Sequence, residues 1–337
     1  WSSDVCSSDL KDQDRIQGFD PNGQSQVRLI ILDLGNDSYE FVWSFHHILM
    51  DGWCISILLN DFDQILRSLH NNETLTLPKP LLYSNYIKWL DKVDIKTSLS
   101  YWKEYLSSYN KAVDIPFLNT SQGNIITTNH VDKILTIGGE AHKDFMDLCN
   151  KQSITQNTFI QGVWGCLLGQ YNNTNDVMFG SVVSGRPGEL SGVELMVGLF
   201  INTIPVRVQY QQTDTPLEVL KNLHTTSITS KPHHYLNLSD VQAQSSLGMD
   251  LMNHIVVFEN YPIQEAIESD LQSNASSDWN LSLEGQEVFE QTNYDFNLLI
   301  VPGATSINIV FRYDECKLET TFMNALLEHF KAMFNQF

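Results

Sequence analysis

Within sixteen residues, Ser38 to Trp53, the chain changes its hydrophobic period. Up to Phe45 the run is rich in β-branched and aromatic residues, which predicts a strand. Beyond it, Ile55, Leu58, Leu59, Phe62, Ile65 and Leu66 recur at helical spacing, which predicts an amphipathic helix. The adjacent histidines His46 and His47 therefore fall where a strand ends, and Asp51-Gly52 makes the turn into the helix. Successive side chains of a strand point to opposite faces, so only one of the two can face a given cleft. Loops mounted on the ends of rigid strands commonly carry chemistry.

The rest of the chain reads as a mixture of helices and strands. Val27–Leu32 and Tyr39–Phe45 make a hairpin across Gly35-Asn36-Asp37, after a polar lead-in. Tyr83–Leu90 and Ser98–Tyr109 read as helices with aromatic stripes, taken as core packing. Residues 110–130 turn polar, with Pro116 and Gly123, and mark a linker. A strand at Val131–Ile137 and a helix at Glu140–Asn150 follow, then capping-box spacing at Ser153 and Gln156. Phe159, Val163 and Leu167, flanked by Ile160, Trp164 and Leu168, predict a deeply buried helix. Asp176–Pro187 reads as a buried strand ending in a turn, and Thr215-Pro216-Leu217-Glu218 is a strong helix start. Asn253–Pro262 reads as a strand and turn, 264–280 as a polar loop, and Asn293–Val301 with Ser306–Asp314 as a second hairpin. A terminal helix carries Leu318, Phe322, Leu326, Phe330, Met333 and Phe337 on one stripe.

A net charge of −20 argues against nucleic acid or an anionic membrane as partner. No apolar run approaches membrane-spanning length, and there is no signal-peptide pattern. Five scattered cysteines without a Cys-x-x-Cys pair read as reduced thiols in a cytoplasmic protein. Adjacent histidines on a strand are poor ligands for one metal ion, and no second His or Cys cluster of zinc spacing accompanies them. There is no phosphate-binding or dinucleotide fingerprint. His233 and His234 read as structural or solvent-facing.

The run His46-His47-x-x-x-Asp51-Gly52 resembles the His-His-x-x-x-Asp-Gly motif of the condensation domains of nonribosomal peptide synthetases, within the chloramphenicol acetyltransferase-like superfamily. The helix pair around Tyr83–Leu90 and Leu99–Leu106, the run through Ser184-Gly185-Arg186-Pro187, Gly198-Leu199-Phe200-Ile201-Asn202-Thr203, and Phe258-Glu259-Asn260-Tyr261-Pro262 are similar to that family's segments, in its order. The resemblance implies an α+β fold (an α/β sandwich) of two acyltransferase-like lobes in a V-shaped pseudodimer. Residues 1–10 carry no periodicity and are read as a non-native leader; the chain then divides into a partial first lobe at 11–115, a linker at 116–130 and a second lobe at 131–337.

For function, the resemblance implies peptide-bond formation. The α-amine of an acceptor aminoacyl group attacks the thioester of a donor, both carried on phosphopantetheine arms. The expected partners are an upstream donor and a downstream acceptor carrier domain with an adjacent adenylation domain; no cofactor or metal is expected on the domain itself. His47 is assigned as base, oxyanion support or positioner, with His46, Asp51 and Gly52 completing the motif. Asp51 is expected to hold the loop by pairing with Arg186, and Gly52 to allow a tight turn. Trp53 and Asn202 are expected to line the substrate passage, although Asn202 also fits a turn or bulge residue. The pattern looks like the type joining two L-configured residues. The alternatives are a non-catalytic docking module, an epimerisation domain, and a free-standing coenzyme A acyltransferase. The family carries further motifs ahead of the histidine pair, so the chain is read as an N-terminally truncated domain whose first lobe is incomplete and whose activity alone is in doubt.

Overall fold

A computed structural model of the protein describes residues 7–23, 25–75, 77–116, 129–259, 285, 287–290 and 292–337. Two compact units emerge. The first comprises Trp1–Tyr86, Gly192–Phe200 and Tyr261–Asn280; the second comprises Ile87–Ser191, Ile201–Asn260 and Leu281–Phe337.

In the first unit, β1 (Val27–Gly35) and β2 (Ser38–Phe45) pair antiparallel, with Arg28 opposite Ser44 and Val27 opposite Phe45. The reversal lies at Asn36 and Asp37, both left-handed at φ 54° and 59°. Two such residues in a row give the turn whose twist matches a hairpin. Helix α2 (Gly52–His70) follows, its Phe62 edge-on to Phe41 at 5.7 Å. Ahead of the hairpin stands α1 (Ser7–Gln17), which the sequence reading did not anticipate: Ser7–Leu10, set aside there as a leader, open the helix. Its reason for docking is polar. Asp14 is its one buried residue, and it accepts from Arg28 Nε at 2.6 Å and from the Ser44 hydroxyl. Hydrophobic periodicity cannot reveal a helix held in this way.

The second unit is built on a six-stranded sheet. Its strands are β3 (His130–Gly138), β4 (Asp176–Val183), β5 (Asn202–Gln209), β6 (Ile255–Phe258), β7 (Phe296–Pro302) and β8 (Ser306–Asp314), in spatial order β3-β8-β7-β6-β4-β5. The β4–β6 and β6–β7 pairs are parallel and the other three antiparallel. Against the sheet pack α5 (Gly139–Gln152), α6 (Gln156–Asn172), α7 (Pro216–Ser230) and the terminal helix (Thr320–Phe334), with a short helix at Leu238–Gln242. This mixed sheet with its helices is the α+β class expected. As the apolar pattern demanded, α6 is buried all round, with Ile160, Val163, Trp164 and Leu168 wholly inaccessible. Gly165 allows α6 to lie against β5, since a Cβ there would stand 2.5 Å from Val208. Thr215 and Glu218 form the expected capping box of α7, with Glu218 Oε2 accepting from Thr215 N at 2.8 Å.

Two local expectations need correction. Ser153 does not cap α6. It takes a left-handed conformation (φ 54°) that ends α5, and Thr155 caps α6 instead, its hydroxyl accepting from Thr158 N at 3.0 Å. The helix expected at Ser98–Tyr109 is α4, Ile95–Tyr105, with α3 at Ser84–Leu90 before it. It starts early because Asp94 caps it and ends early because Ser108 is left-handed (φ 66°). Nor do the two units follow the expected lobes. Residues 87–115 belong to the second, where Trp102 and Leu106 share a core with Met178, Ile204 and Leu236. Most of the expected linker (117–128) and of the loop at 264–280 lie outside the described residues, as do Asn260, Tyr261 and Pro262. Among the described residues, no helix is long and apolar enough to cross a membrane.

One core group sets an acid limit on stability. His254 is fully buried; its Nε2 accepts from Trp164 Nε1 at 2.9 Å, and Nδ1 faces Asn253 Oδ1 at 2.8 Å. Burial pushes its pKa down to about 3, and burial with nearby Lys231 and His233 pushes His234 down to about 4. In the unfolded chain both titrate near about 6.5. Between those values the unfolded state binds protons that the folded state refuses, so stability is complete above the unfolded value and falls as pH drops below it. The slope is about 1.4 kcal/mol per pH unit for each histidine. Urea midpoints measured from neutral pH downward are expected to fall from just below pH 6.5, and a His254→Gln variant to show a shallower fall. A flat midpoint down to the carboxylate range would contradict this.

Candidate functional site

Strand β2 stops at Phe45, so both histidines lie beyond it in a turn. The alternation of strand faces is not what separates them. His46 is pinned: its N–H donates to Gln26 O at 2.9 Å, its carbonyl accepts from Leu49 N at 3.0 Å, and its Nδ1 accepts from Ile48 N at 3.0 Å. A neutral His46 ring in this geometry carries its proton on Nε2. His47 is exposed, with its ring edge-on to Phe45 at 6.2 Å. The turn thus buries one imidazole partly and presents the other.

Met50 then turns inward, and Asp51 is completely buried at the N-terminus of α2. Its side chain does not cap its own helix. Instead Oδ2 accepts from the backbone N–H of Phe200 at 3.0 Å, and Oδ1 accepts from the Cys54 thiol at 3.2 Å. Cys54 Sγ also lies 3.2 Å from Gly198 O and accepts from Gly198 N at 3.3 Å. Burial pushes the Cys54 thiol up, opposed by the Gly198 contact and reinforced by the Asp51 charge, so it stays protonated and can donate. Trp53 Nε1 donates to Glu194 O at 2.9 Å. The first turn of α2 is therefore laced to the segment 194–200. From the other side, Tyr83 donates to Leu199 O at 2.6 Å, and the rings of Tyr83 and Tyr86 pack on Phe200 at 5.1 and 4.6 Å. Burial pushes the Tyr86 phenol up to about 12, so it remains neutral.

Two motifs that are 144 residues apart are thereby joined within one unit. The sequence reading named Asp51 but missed Cys54, Tyr83 and Phe200 as its supports. The available signal was the Gly198-Leu199-Phe200 run, whose glycine is needed for close approach. A Cβ at position 198 would stand 2.0 Å from the Tyr83 ring. Gly198→Ala is accordingly expected to cost about 1–3 kcal/mol, as overpacking of a filled site does. Urea denaturation reads this loss, and a Gly198→Ala, Tyr83→Leu double variant should recover part of it.

Gly52 is buried as the first residue of α2, but its φ is not positive, so the backbone there does not itself demand glycine. Trp53 serves as a tie to residue 194. Asn202 opens β5 in the second unit, where its amide donates to His234 O (2.8 Å) and Leu236 O (2.6 Å). Its Oδ1 accepts from Thr203 N at 2.9 Å. Both amide hydrogens clamp a loop, as a turn-holding residue does. The His233-His234 loop is structural as expected, with Ser98 Oγ 2.8 Å from His233 Nδ1 and Tyr101 stacked on that ring at 4.2 Å. Arg186 lies half-buried in the loop after β4, between the left-handed Gly185 (φ 61°) and Pro187, in the second unit. Among the described residues no cluster of His, Cys, Asp and Glu has metal-binding geometry.

The Condensation domain family model matches residues 3–337. The chain is 37% identical over 330 residues to gramicidin S synthase 2 of Brevibacillus brevis, covering 96% of the chain and 7% of that protein. It is 37% identical over 316 residues to surfactin synthase subunit 3 of Bacillus subtilis (strain 168), covering 94% of the chain and 24% of that protein. The chain thus spans a quarter or less of the length of these relatives. In fold it is similar to the first condensation domain of the CDA synthetase, with a TM-score of 0.69 at 12% identity over 92% of this chain and 66% of that one.

Proposed function

Because the chain belongs to the condensation-domain family of nonribosomal peptide synthetases, we propose that it joins two aminoacyl groups by amide-bond formation, with His47 at the reacting atoms. The nucleophile is the α-amine of an acceptor aminoacyl thioester and the electrophile the thioester carbonyl of a donor, each tethered through phosphopantetheine to a carrier domain. A C–N bond forms and the C–S bond breaks. The amine loses one proton and the leaving sulfur gains one. An imidazole near neutrality can take up the first proton and return it to the sulfur, or donate to the oxyanion of the tetrahedral intermediate. Tethering both reactants supplies the rest, since positioning alone removes much of the barrier to a bimolecular step.

The observation that carries this reading is the division of labour in the turn. Asp51 is fully buried and fastened to Phe200, His46 is pinned by the backbone, and His47 is left exposed beside them. In the same reading Asp51 also pairs with Arg186, and the chain works with donor and acceptor carrier domains and an adenylation domain. The test supplies two carrier domains, each loaded with an aminoacyl arm, to the domain in its synthetase context and follows dipeptidyl thioester by mass spectrometry. Dipeptide on the acceptor carrier is the expected result. Acylation from coenzyme A thioesters without carriers, or carrier binding without transfer, would replace the proposal.

A further inference from the structure

The histidine turn is supported from beneath by a polar hub that none of the motif residues belongs to. Asp14, on α1, is nine-tenths buried, and its carboxylate is shared between Arg28 Nε (2.6 Å) and the Ser44 hydroxyl. Arg28 and Ser44 face each other across the hairpin. Burial alone would raise the Asp14 carboxyl, but the bonds from Arg28 and Ser44 outweigh it and hold the group below its ordinary value. The same guanidinium donates to Gly18 O at 2.7 Å and Asp14 O at 3.2 Å, closing the end of α1. It also lies over the Phe19 ring at 4.1 Å. Phe19 in turn stands edge-on to His46 at 6.3 Å. Ser44 precedes His46 by two residues, and the His46 N–H extends the hairpin ladder to Gln26 O at 2.9 Å. Two routes therefore run from one ion pair to the turn: through the strand by Ser44, and through space by Phe19.

We propose that Asp14 and Arg28 are positioning residues for the histidine turn, fixing the ring of His46 through Phe19 and Ser44 and so setting where His47 emerges. The proposal rests on reading the turn as the acyl-transfer site. The guanidinium is suited to this task because its planar fork makes several bonds in a fixed geometry while its flat face stacks on an aromatic ring; the ammonium of lysine has neither the fork nor the face. Misplacement of a reacting group by an ångström is enough to slow a reaction severely.

The test uses Arg28→Gln, Arg28→Lys and Phe19→Leu, with two readouts. The first is nitrogen-edited proton NMR of the histidine rings in the 337-residue chain, which needs no substrate. The second is the kcat and KM of dipeptide formation in the synthetase context. Arg28→Gln is expected to move the His46 ring signals and lower kcat by roughly tenfold or more, with KM for the loaded carriers within about twofold. Arg28→Lys, which keeps the charge and loses the fork, should restore only part of this. Phe19→Leu should shift the same signals with little change in unfolding midpoint. If Arg28→Gln does not fold, the Phe19 variant decides. Unmoved His46 signals in it, or an unchanged kcat per folded molecule in any Arg28 variant, would overturn the proposal. Absence of dipeptide from the wild type would instead count against the acyl-transfer reading, and the ring signals would still judge the positioning.

Discussion

Replacing Asp51 by alanine is expected to be the most destabilising single change in the first unit. The carboxylate is wholly inaccessible to solvent, and its removal takes away the acceptor of the buried Phe200 N–H and one of the two oxygens that face the Cys54 thiol. A buried donor left without an acceptor costs about 1–3 kcal/mol. Where the partner of a buried carboxylate is a cation, breaking the pair costs about 3–5 kcal/mol. These magnitudes separate two accounts of Asp51. Asp51→Asn retains an oxygen for the Phe200 N–H but gives up the charge. If backbone fastening is the whole role, the asparagine variant stays near the wild type. If Arg186 shares the carboxylate, asparagine should lose nearly as much as alanine, and an Asp51→Asn, Arg186→Gln double variant should fall well short of the summed single losses. Urea denaturation of the wild type, the two Asp51 variants, Arg186→Gln and the double variant reads the outcome. Additive losses would remove the Asp51–Arg186 pair and leave the tie to Phe200 standing.

The second large effect belongs to His47 and concerns rate, not stability. Its ring is exposed, so His47→Ala should change the unfolding free energy by no more than about 0.5 kcal/mol. If it transfers the proton as proposed, its loss should lower the rate by about 10²–10⁴-fold. His46→Ala should show the opposite bias. That ring holds the turn through its contact with Ile48 N, so its loss should lower stability as well as rate. A His47→Ala enzyme with wild-type rate would show that tethering alone drives the reaction.

Local regularities were legible without coordinates. The turn residues Asn36 and Asp37 announce their hairpin, Thr215 and Glu218 their cap, and the unbroken apolar face of α6 its burial. The position of the histidines at the end of a strand was equally plain. What escaped depends on partners far apart in sequence. Asp14 docks α1 through Arg28 and Ser44, and Cys54 meets Gly198; a charge or a thiol leaves no periodic trace of the group it will meet. Ser153 shows a subtler failure. Its spacing to Gln156 imitates a capping box, but the end of α5 claims the residue first. The helix around Trp102 was recognised, yet an apolar stripe does not say which core it will enter, and residues 87–115 joined the second unit.

The most direct test of the central claim is the single-turnover rate of dipeptide formation between two loaded carrier domains, compared for wild type and His47→Ala under saturating carriers. A loss of about a hundredfold or more in the variant, with its unfolding midpoint unchanged, is the expected result. Equal rates from two equally stable proteins would remove His47 from the reacting atoms and contradict the account.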